Sequence, residues 1–489
     1  MTKLIHFFHI SYSPTFAVYK IHNMYKLPSK QLLLFLGVFL VIQAQAQQKV
    51  LNIKDAEQMA LANYGTIKSK ANQLNAAKAY LKETRTEYLP DVSISAQQDY
   101  GTANGQNGPL YGYHGLSVAS SGPALSKQNW NAAFGSLYLS NVSWDFFSFG
   151  KAVEKVKVQR SVVNREETDL VQEQFQHEIR VASTYLNLLA AQQLAKAQQD
   201  NLNRAIDLQK VVTARVKNGL NAGVDSALAN AEVSNAKISL TNTLQTVQDQ
   251  SNQLSIYLGI PAQEFLLDSA FITKPPVNLG AQSAVSLADH PQLRYLQNRI
   301  NISDEQAKYL KTFALPTFSL FGVYQGRGSG FNADYINDQS SYSGSYGAGA
   351  NPTRYNYLFG VAMVWNLTSP FRVHYQVQSQ KYTSEQYKND YSVVEQQLKA
   401  QQVLAETRIS NSLKNYREVP VEVSAASDAY KQKYTLYKNG LANIVDFTQA
   451  LYTLNRAEVD RYIALNNVWQ ALLYKSAATG DFGVFINNF

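Results

Sequence analysis

Apolar and polar residues alternate along several short stretches of the chain, and two of these stretches end at a tryptophan. The clearest stretch places apolar side chains at every second position of one face, at Tyr355, Tyr357, Phe359, Val361, Met363 and Trp365. Such alternation over about ten residues, with aromatic residues near the ends, is typical of a strand of a membrane β-barrel. The alternating stretches predict four strands, at 91–100, 134–144, 317–325 and 355–366.

A different pattern follows each tryptophan stretch. Residues 151–218 contain no glycine, and neither do residues 372–439. At about 1.5 Å per residue, each would form a helix of roughly 100 Å. The second contains Pro420, which should kink or interrupt it because proline lacks the amide hydrogen that a helix interior needs. Shorter helices are predicted at 54–88 and 285–314, each ending near a Leu-Pro pair, since the residue before proline avoids the helical region.

Each long helix ends at a glycine and the chain then turns back. Gly219 and Gly440 occupy these ends, and glycine is common just past the end of a helix. Asp225 and Asp446 are placed to cap the returning helices, because an aspartate can accept hydrogen bonds from free amides there. The first returning helix carries an apolar repeat of spacing 4-3-4-3-4, which is typical of a coiled-coil seam. The seam consists of Leu240, Leu244, Val247, Ser251, Leu254 and Leu258.

The same series of elements occurs twice. Lys-Asn-Gly-Leu at 217–220, followed by Val-Asp at 224–225, recurs at 438–441 and 445–446. The recurrence indicates an internal duplication of a unit of roughly 200 residues, which is too long for a solenoid repeat. The predicted organisation is a first repeat at 47–258 with its returning helix at 224–257, an equatorial linker at 259–285, a second repeat at 286–480 with its returning helix at 445–478, and a C-terminal tail at 481–489.

The N-terminal region is predicted to be a leader. Residues 32–42 are apolar, Lys26 and Lys30 precede them, and Ala44-Gln45-Ala46 follows. A positive region, a short apolar region and an A-x-A site together describe a secretory signal peptide, here 1–46. Met24 lies where a start would give a leader of ordinary length. The apolar run is too short to span a bilayer as a helix, which takes roughly 20 residues.

Composition narrows the classes of function. The absence of cysteine excludes disulfides, zinc thiolate sites and a lipid-anchoring cysteine. The net charge of +8 comes in good part from the leader, and no Lys/Arg run outside it indicates nucleic-acid binding. Gly326-Arg327-Gly328-Ser329-Gly330 follows a strand but opens no helix, so it does not predict a nucleotide site. No histidine pair has metal-ligand spacing. We therefore expect no enzyme, no cofactor and no metal.

The predicted elements require several chains. Four strands cannot close a barrel, because the smallest known barrel has about eight, so strands must be pooled between subunits. Loops near 101–133 and 326–354 are long, as extracellular loops of such barrels are. Two short helices placed end to end have about the length of one long helix. Helices of this length side by side would form the wall of a cylinder about 100 Å tall. The predicted fold class is an α+β membrane protein in which a β-barrel continues into an α-helical barrel of coiled-coil hairpins.

The order and spacing of these features resemble the TolC-like outer-membrane efflux family, the outer membrane factors, over residues 51–481. The Leu-Pro pairs, the stretches ending at Trp144 and Trp365, and the Gly-Leu turns followed by Val-Asp carry the resemblance. It implies a homotrimer in which three chains contribute four strands each to a 12-stranded barrel. It also implies a place in the outer membrane of a Gram-negative-type bacterium, extending into the periplasm.

The resemblance implies roles for particular residues. Periplasmic adaptor proteins, also called membrane fusion proteins, would dock at the hairpin tips, Gly219, Leu220, Gly440 and Leu441. The periplasmic gate would use Tyr437, Asp225 and Asp446, and Pro90 and Pro316 would be helix-to-strand swivels. Two positions depart from the family, because Ala442 stands in place of a gate arginine and Gln449 in place of a second ring aspartate.

The same residues also fit simpler interpretations. The tip glycines could serve only the turn geometry, with Leu220 and Leu441 packed inside the turn. Asp225 and Asp446 could be helix caps and nothing more.

The function that the resemblance implies is a passive exit duct of a tripartite efflux or type I secretion system. An inner-membrane RND or ABC-type transporter would deliver the solute through the adaptor, and the barrel would contact outer-membrane lipid. A periplasmic adaptor is an alternative, but it would need one hairpin and a compact β domain. A structural coiled coil or adhesin is another, against which the duplication and the returning turns argue.

Overall fold

The computed structural model describes residues 50–105, 112–113, 116–117, 123–277 and 285–488. The predicted leader at 1–46 and the terminal Phe489 lie outside the described residues. The chain divides into the units Met1–Leu51 and Asn52–Phe489, and the elements below belong to the second. Within the described residues, no helix is both long enough and apolar enough to cross a membrane.

Four antiparallel strands form one sheet in chain order, and each pairs with the next. Their register places Ser140 between Ile94 and Tyr324, and Leu320 opposite Val361. The strands are β1 at Asp91–Thr102, β2 at Ala132–Phe147, β3 at Thr317–Ser329 and β4 at Arg354–Val364. β1 and β4 are the two edges of the sheet within the chain.

The two faces of the sheet differ in polarity, because residues paired across neighbouring strands project to the same side. We call the side that includes Val361 the apolar face. It carries Val92, Ile94, Val142, Leu320, Tyr357, Phe359, Val361 and Met363. The opposite side, the polar face, carries Ser93, Ser95, Gln97, Asn141, Ser143, Ser319, Gln325 and Asn356.

The helices follow the duplicated order, with two long members among shorter ones. A 3-10 turn, Leu287–Asp289, precedes the sixth helix. The helices are α1 at Ile53–Asn63, α2 at Gly65–Thr86, α3 at Lys151–Lys217, α4 at Gly223–Leu258, α5 at Ala270–Thr273, α6 at Pro291–Thr312, α7 at Tyr346–Ala350, α8 at Ser369–Lys438, α9 at Ile444–Thr479 and α10 at Gly483–Ile486.

The first helix of each repeat differs from its prediction. The stretch predicted as one helix at 54–88 is two helices, because Tyr64 takes an extended backbone conformation between α1 and α2. In the second repeat, α6 begins only at Pro291. The imidazole of His290 accepts a hydrogen bond from the Gln292 amide and caps this helix. Proline at the first helical position suits such a start because it has no amide hydrogen to satisfy.

The long helix α8 continues through Pro420, so the proline does not interrupt it. Val419 and Ala426 are buried on either side of the proline, and Ala426 packs with Leu454 and Ala457 of α9. Packing of this kind stabilises the flanking turns against the loss of one hydrogen bond.

The two hairpins, α3–α4 and α8–α9, pack against each other along α3 and α9. Near the tips, Leu208, Val212 and Ala229 of the first hairpin form one cluster with Phe447 and Leu451 of the second. The predicted seam on α4 is buried only in part: Ser251, Leu254 and Leu258 are buried, while Leu244 remains 51% exposed within the chain.

The predicted C-terminal tail at 481–489 packs against the helices. Residues 483–486 form the helix α10, and Phe485 is fully buried. Its ring lies 6.0 Å from that of Trp469 on α9 and 6.1 Å from that of Phe271 on α5. The aromatic cluster attaches both the linker and the C-terminal segment to α9.

The glycines at 326–330 serve close packing. The loop between β3 and β4 returns over the apolar face of the sheet. It places the carbonyl oxygens of Gly349 and Asn351 against Gly328, where a Cβ atom would clash. The Tyr138 hydroxyl donates to the Ala350 carbonyl at 3.1 Å in the same region. The loop therefore lies directly on β2 and β3.

Candidate gate and docking site at the hairpin tips

Both hairpins end in the same turn. Gly219 and Gly440 have φ angles of 71° and 76°, a left-handed conformation that favours glycine. The Leu220 amide donates to the Arg215 carbonyl at 2.9 Å, and the Leu441 amide donates to the Leu436 carbonyl at 2.9 Å. These bonds satisfy carbonyls that a helix end leaves free. The turn geometry therefore accounts for the two glycines.

The leucines after these glycines point outward. Leu220 is 66% exposed and Leu441 is 74% exposed, so the interpretation that they pack inside the turn is wrong within the chain. An exposed apolar side chain at the end of a rigid hairpin is available to a partner protein.

A polar network joins the two tips. Asn221 Nδ2 donates to the Asp225 carboxylate at 2.6 Å and to the Tyr437 hydroxyl at 3.4 Å. Arg215 Nε donates to Asn221 Oδ1 at 2.7 Å, and its Nη1 donates to the Lys438 carbonyl at 3.0 Å. Tyr437 and Asp225 thus come together through Asn221. Sequence reasoning did not single out Asn221, although it directly follows the Gly-Leu pair of the turn.

Tyr437 lies between the hairpins. It is 1% exposed, its ring stacks on Phe447 at 5.7 Å, and the Arg215 guanidinium lies 5.6 Å from the ring centre. Burial, and then the negative charge of Asp225, raise the pKa of Tyr437. The phenol therefore remains protonated near neutral pH and can donate a hydrogen bond.

Neither predicted capping aspartate is the cap of its helix. Asn443 caps α9, accepting from the Asp446 amide at 2.8 Å, and Asp446 follows in the first turn. Asp225 likewise lies in the first turn of α4, after Ala222. Carboxylates in the first turn still interact favourably with the helix dipole. The Asp446 carboxylate also forms an ion pair with Lys433 at 3.0 Å.

The two departures from the family pattern lie in different surroundings. Ala442 packs against the apolar cluster between the tips, whereas Gln449 is exposed on α9.

Two side-chain pairs connect the hairpins above the tips. Arg204 of α3 donates two hydrogen bonds to Glu458 of α9, at 3.1 and 2.6 Å. The Tyr452 hydroxyl donates to Glu232 of α4, which is 4% exposed. This hydrogen bond, with burial, raises the pKa of Tyr452 to about 12. No sequence signal identified these pairs, because their members lie far apart in the chain.

The two tryptophans make equivalent hydrogen bonds at the junction of helices and sheet. Trp144 Nε1 donates to the Tyr88 carbonyl at 2.8 Å, and Trp365 Nε1 donates to the Ala314 carbonyl at 3.1 Å. Each carbonyl lies two residues before a proline, Pro90 or Pro316 in turn. In each repeat, the hydrogen bond attaches the end of the short helix to the nearby end of the sheet.

Known proteins share this architecture. Three solved outer-membrane proteins superpose on 88% of this chain. VceC of Vibrio cholerae has 16% sequence identity and a TM-score of 0.68, and the superposition covers 96% of its chain. The CmeC channel of Campylobacter jejuni has 14% identity and a TM-score of 0.69, with 85% of its chain covered. The MtrE channel of Neisseria gonorrhoeae in its open state has 15% identity and a TM-score of 0.66, with 89% of its chain covered. Because the sequence identities are this low, the structural similarity shows that the fold is shared and nothing more.

Part of the sequence matches a family model. Residues 57–260 match the model of the outer membrane efflux protein family. No curated protein sequence matches the chain.

Proposed function

We propose that this chain is the outer-membrane exit duct of an efflux or type I secretion system and that it works as a homotrimer. The observation that carries the proposal is the four-stranded sheet, with one apolar face, one polar face and two edges that pair with no other strand of the sheet. Unpaired strand edges cannot face lipid, because every backbone polar group there needs a partner. Pairing β1 of one chain with β4 of the next would close a barrel of 12 strands.

The conduit needs no chemical step. In the trimer the apolar face contacts outer-membrane lipid, and the polar face lines a water-filled lumen. The hairpins extend the lumen into the periplasm. Pore diameter and the charges of the lining residues then determine which solutes pass.

The tips supply the contacts and the gate. Leu220 and Leu441 present apolar side chains to a periplasmic adaptor, which links the duct to an inner-membrane transporter of the RND or ABC type. Tyr437, Asn221 and Asp225 hold the two hairpins together in the closed state. Asp446 contributes one carboxylate per chain near the narrowest point.

The test is the oligomeric state and conductance of the detergent-purified protein. We expect a mass of three chains by light scattering and discrete channels in a planar bilayer. A monodisperse monomer with native strand content, or a trimer without conductance, would contradict the proposal. Trp365→Phe should leave the trimer intact, since it removes one hydrogen bond and no strand edge.

A further inference from the structure

A cleft between α6 and α8 lies at the end of the sheet that joins the helices. Its volume is about 730 Å³, and its floor includes Val373 and Val377, which are both buried. The rim carries three basic side chains and one aromatic side chain, all of them exposed. They are Lys311, His374, Lys381 and Tyr382. The cleft therefore combines an apolar floor with a basic rim.

The cleft opens on the side of the molecule that carries the apolar face of the sheet. Trp365 continues the alternation of β4 one step past its end, and its indole donates to the carbonyl of Ala314, which lines the cleft. On the same flank of α8, Phe371 is 74% exposed and Tyr382 is 68% exposed. Gln376 lies on the opposite flank, because successive residues of a helix turn by about 100°. In the proposed duct the apolar face contacts lipid, so the cleft lies at the periplasmic boundary of the membrane.

The positive charge on the rim is not balanced. Among the described residues, neither the Lys311 nor the Lys381 ammonium group pairs with a carboxylate. Glu385 also lines the cleft, but its carboxylate pairs with Lys388 at 2.8 Å. Two such lysines beside an apolar floor suit a ligand that has both a negative charge and an apolar part.

The first repeat carries basic residues at the corresponding positions. Arg85 lies five residues before the proline of its Leu-Pro pair, as Lys311 does in the second repeat. Arg160 lies 16 residues after the tryptophan of its stretch, as Lys381 does. Both arginines are exposed. Positive charge therefore recurs beside the sheet in both halves of the chain, as it does where proteins meet anionic lipid.

We propose that the cleft binds an anionic phospholipid of the membrane leaflet that faces the periplasm. The inference rests on the proposed function, which places the sheet in the outer membrane and the helices in the periplasm. The lipid phosphate contacts Lys311 and Lys381, because ammonium groups form charge-assisted hydrogen bonds with phosphate oxygens. The acyl chains extend past Phe371 and Trp365 towards the apolar face. Basic pockets bind lipid head groups, and aromatic side chains lie at the same level of a membrane.

The experiment measures lipid retained by the detergent-purified full chain, by native mass spectrometry after titration with palmitoyl-oleoyl phosphatidylglycerol. We expect the wild type to retain one tightly bound lipid per chain and to bind phosphatidylcholine, which has no net charge, more weakly. Lys311→Gln together with Lys381→Gln should raise the apparent Kd for phosphatidylglycerol about tenfold or more, because each basic group near a head group contributes to binding. The double arginine variant should bind like the wild type.

The matched control is Lys196→Gln together with Lys414→Gln. It removes the same charge from exposed positions far down α3 and α8, away from the sheet. An equal rise of the Kd in the control would overturn the site, because net charge alone would then explain the effect. Unchanged affinity in the Lys311 and Lys381 double glutamine variant, or equal retention of phosphatidylcholine by the wild type, would also overturn it.

Two further outcomes identify the ligand and separate the site from the duct. Displacement of the lipid by inorganic phosphate at constant ionic strength would assign the cleft to free phosphate and overturn the lipid. One chain forms the whole cleft, so the retained lipid is counted per chain whatever the number of subunits. A monomer that retains the lipid would contradict the duct and support the site, whereas a conducting trimer with unchanged affinity in the double glutamine variant would support the duct and overturn the site.

Discussion

The guanidinium of Arg204 donates two hydrogen bonds to the carboxylate of Glu458 and so joins the first hairpin to the second above the tips. Both side chains are largely shielded, with exposures of 19% and 26%. A bidentate pair restricts geometry as well as contributing energy. The hairpins are therefore connected above the tips as well as at the tip network.

Glu458→Gln should loosen the closed state. Glutamine keeps one acceptor but loses the charge, so the pair weakens by about 1 kcal/mol. We expect a severalfold rise in resting conductance in planar bilayers. The matched control is Glu395→Gln, which removes an ion pair within α8 that connects no second helix. Equal conductance in Glu458→Gln and wild type would limit Arg204 and Glu458 to a packing role.

Asn221→Ala should open the tips more than Tyr437→Phe. Asn221 contacts Arg215, Asp225 and Tyr437, whereas the phenol makes a single long bond of 3.4 Å and its ring is held by Phe447. Loss of the amide leaves partly buried polar groups unpaired, at a cost of about 1–3 kcal/mol. Resting conductance is the measurement, and the opposite order of the two variants would mean that the phenol itself holds the gate.

Leu441→Asp should weaken adaptor docking without affecting trimer assembly. The side chain is exposed, so the substitution removes little from the core. Gly440 is a poorer position to test, because its left-handed backbone and the nearby Arg215 guanidinium make any side chain there disturb the turn. Cross-linking to the adaptor is the measurement. Leu441→Met, which keeps an apolar side chain, should dock normally, and normal docking of Leu441→Asp would exclude this contact.

Lys433→Gln and Asp446→Asn should change ion selectivity in opposite directions. The ion pair between them offsets the carboxylate, so removing the lysine should raise cation preference, and removing the carboxylate should lower it. Reversal potentials in a salt gradient measure both. Changes of the same sign would place the selectivity filter elsewhere in the lumen.

Glu57→Gln should stabilise the protein selectively at alkaline pH. Burial, and then the nearby Glu178, raise the pKa of Glu57 from 4.5 to about 8, while Lys54 acts against them. The folded state therefore binds a proton that the unfolded state releases between these values, and stability falls as pH rises through that window. Melting temperatures at pH 5 and pH 9 test this. The gain of the variant over wild type should appear only at pH 9, and an equal difference at both values would contradict it.

The sequence alone determined the repeated order of elements, the positions of the strands and the two turn glycines. These features depend on local causes: alternation of period two, the absence of glycine over long stretches, and the left-handed backbone at Gly219 and Gly440. Tyr64 was not recognised as a helix break, because it carries no breaker signal. Pro420 predicts a kink or an interruption, but burial of the adjacent turns stabilises an uninterrupted helix through it.

Tertiary structure alone decided which side chains meet. Arg204 and Glu458, or Asn221 and Tyr437, are brought together by the packing of one hairpin on the other, and residues so distant in the chain leave no local pattern. The same holds for Lys311 and Lys381, which line one cleft because α6 packs on α8. Registers and helix contacts depend on the summed burial of many apolar residues, which no short segment of sequence contains.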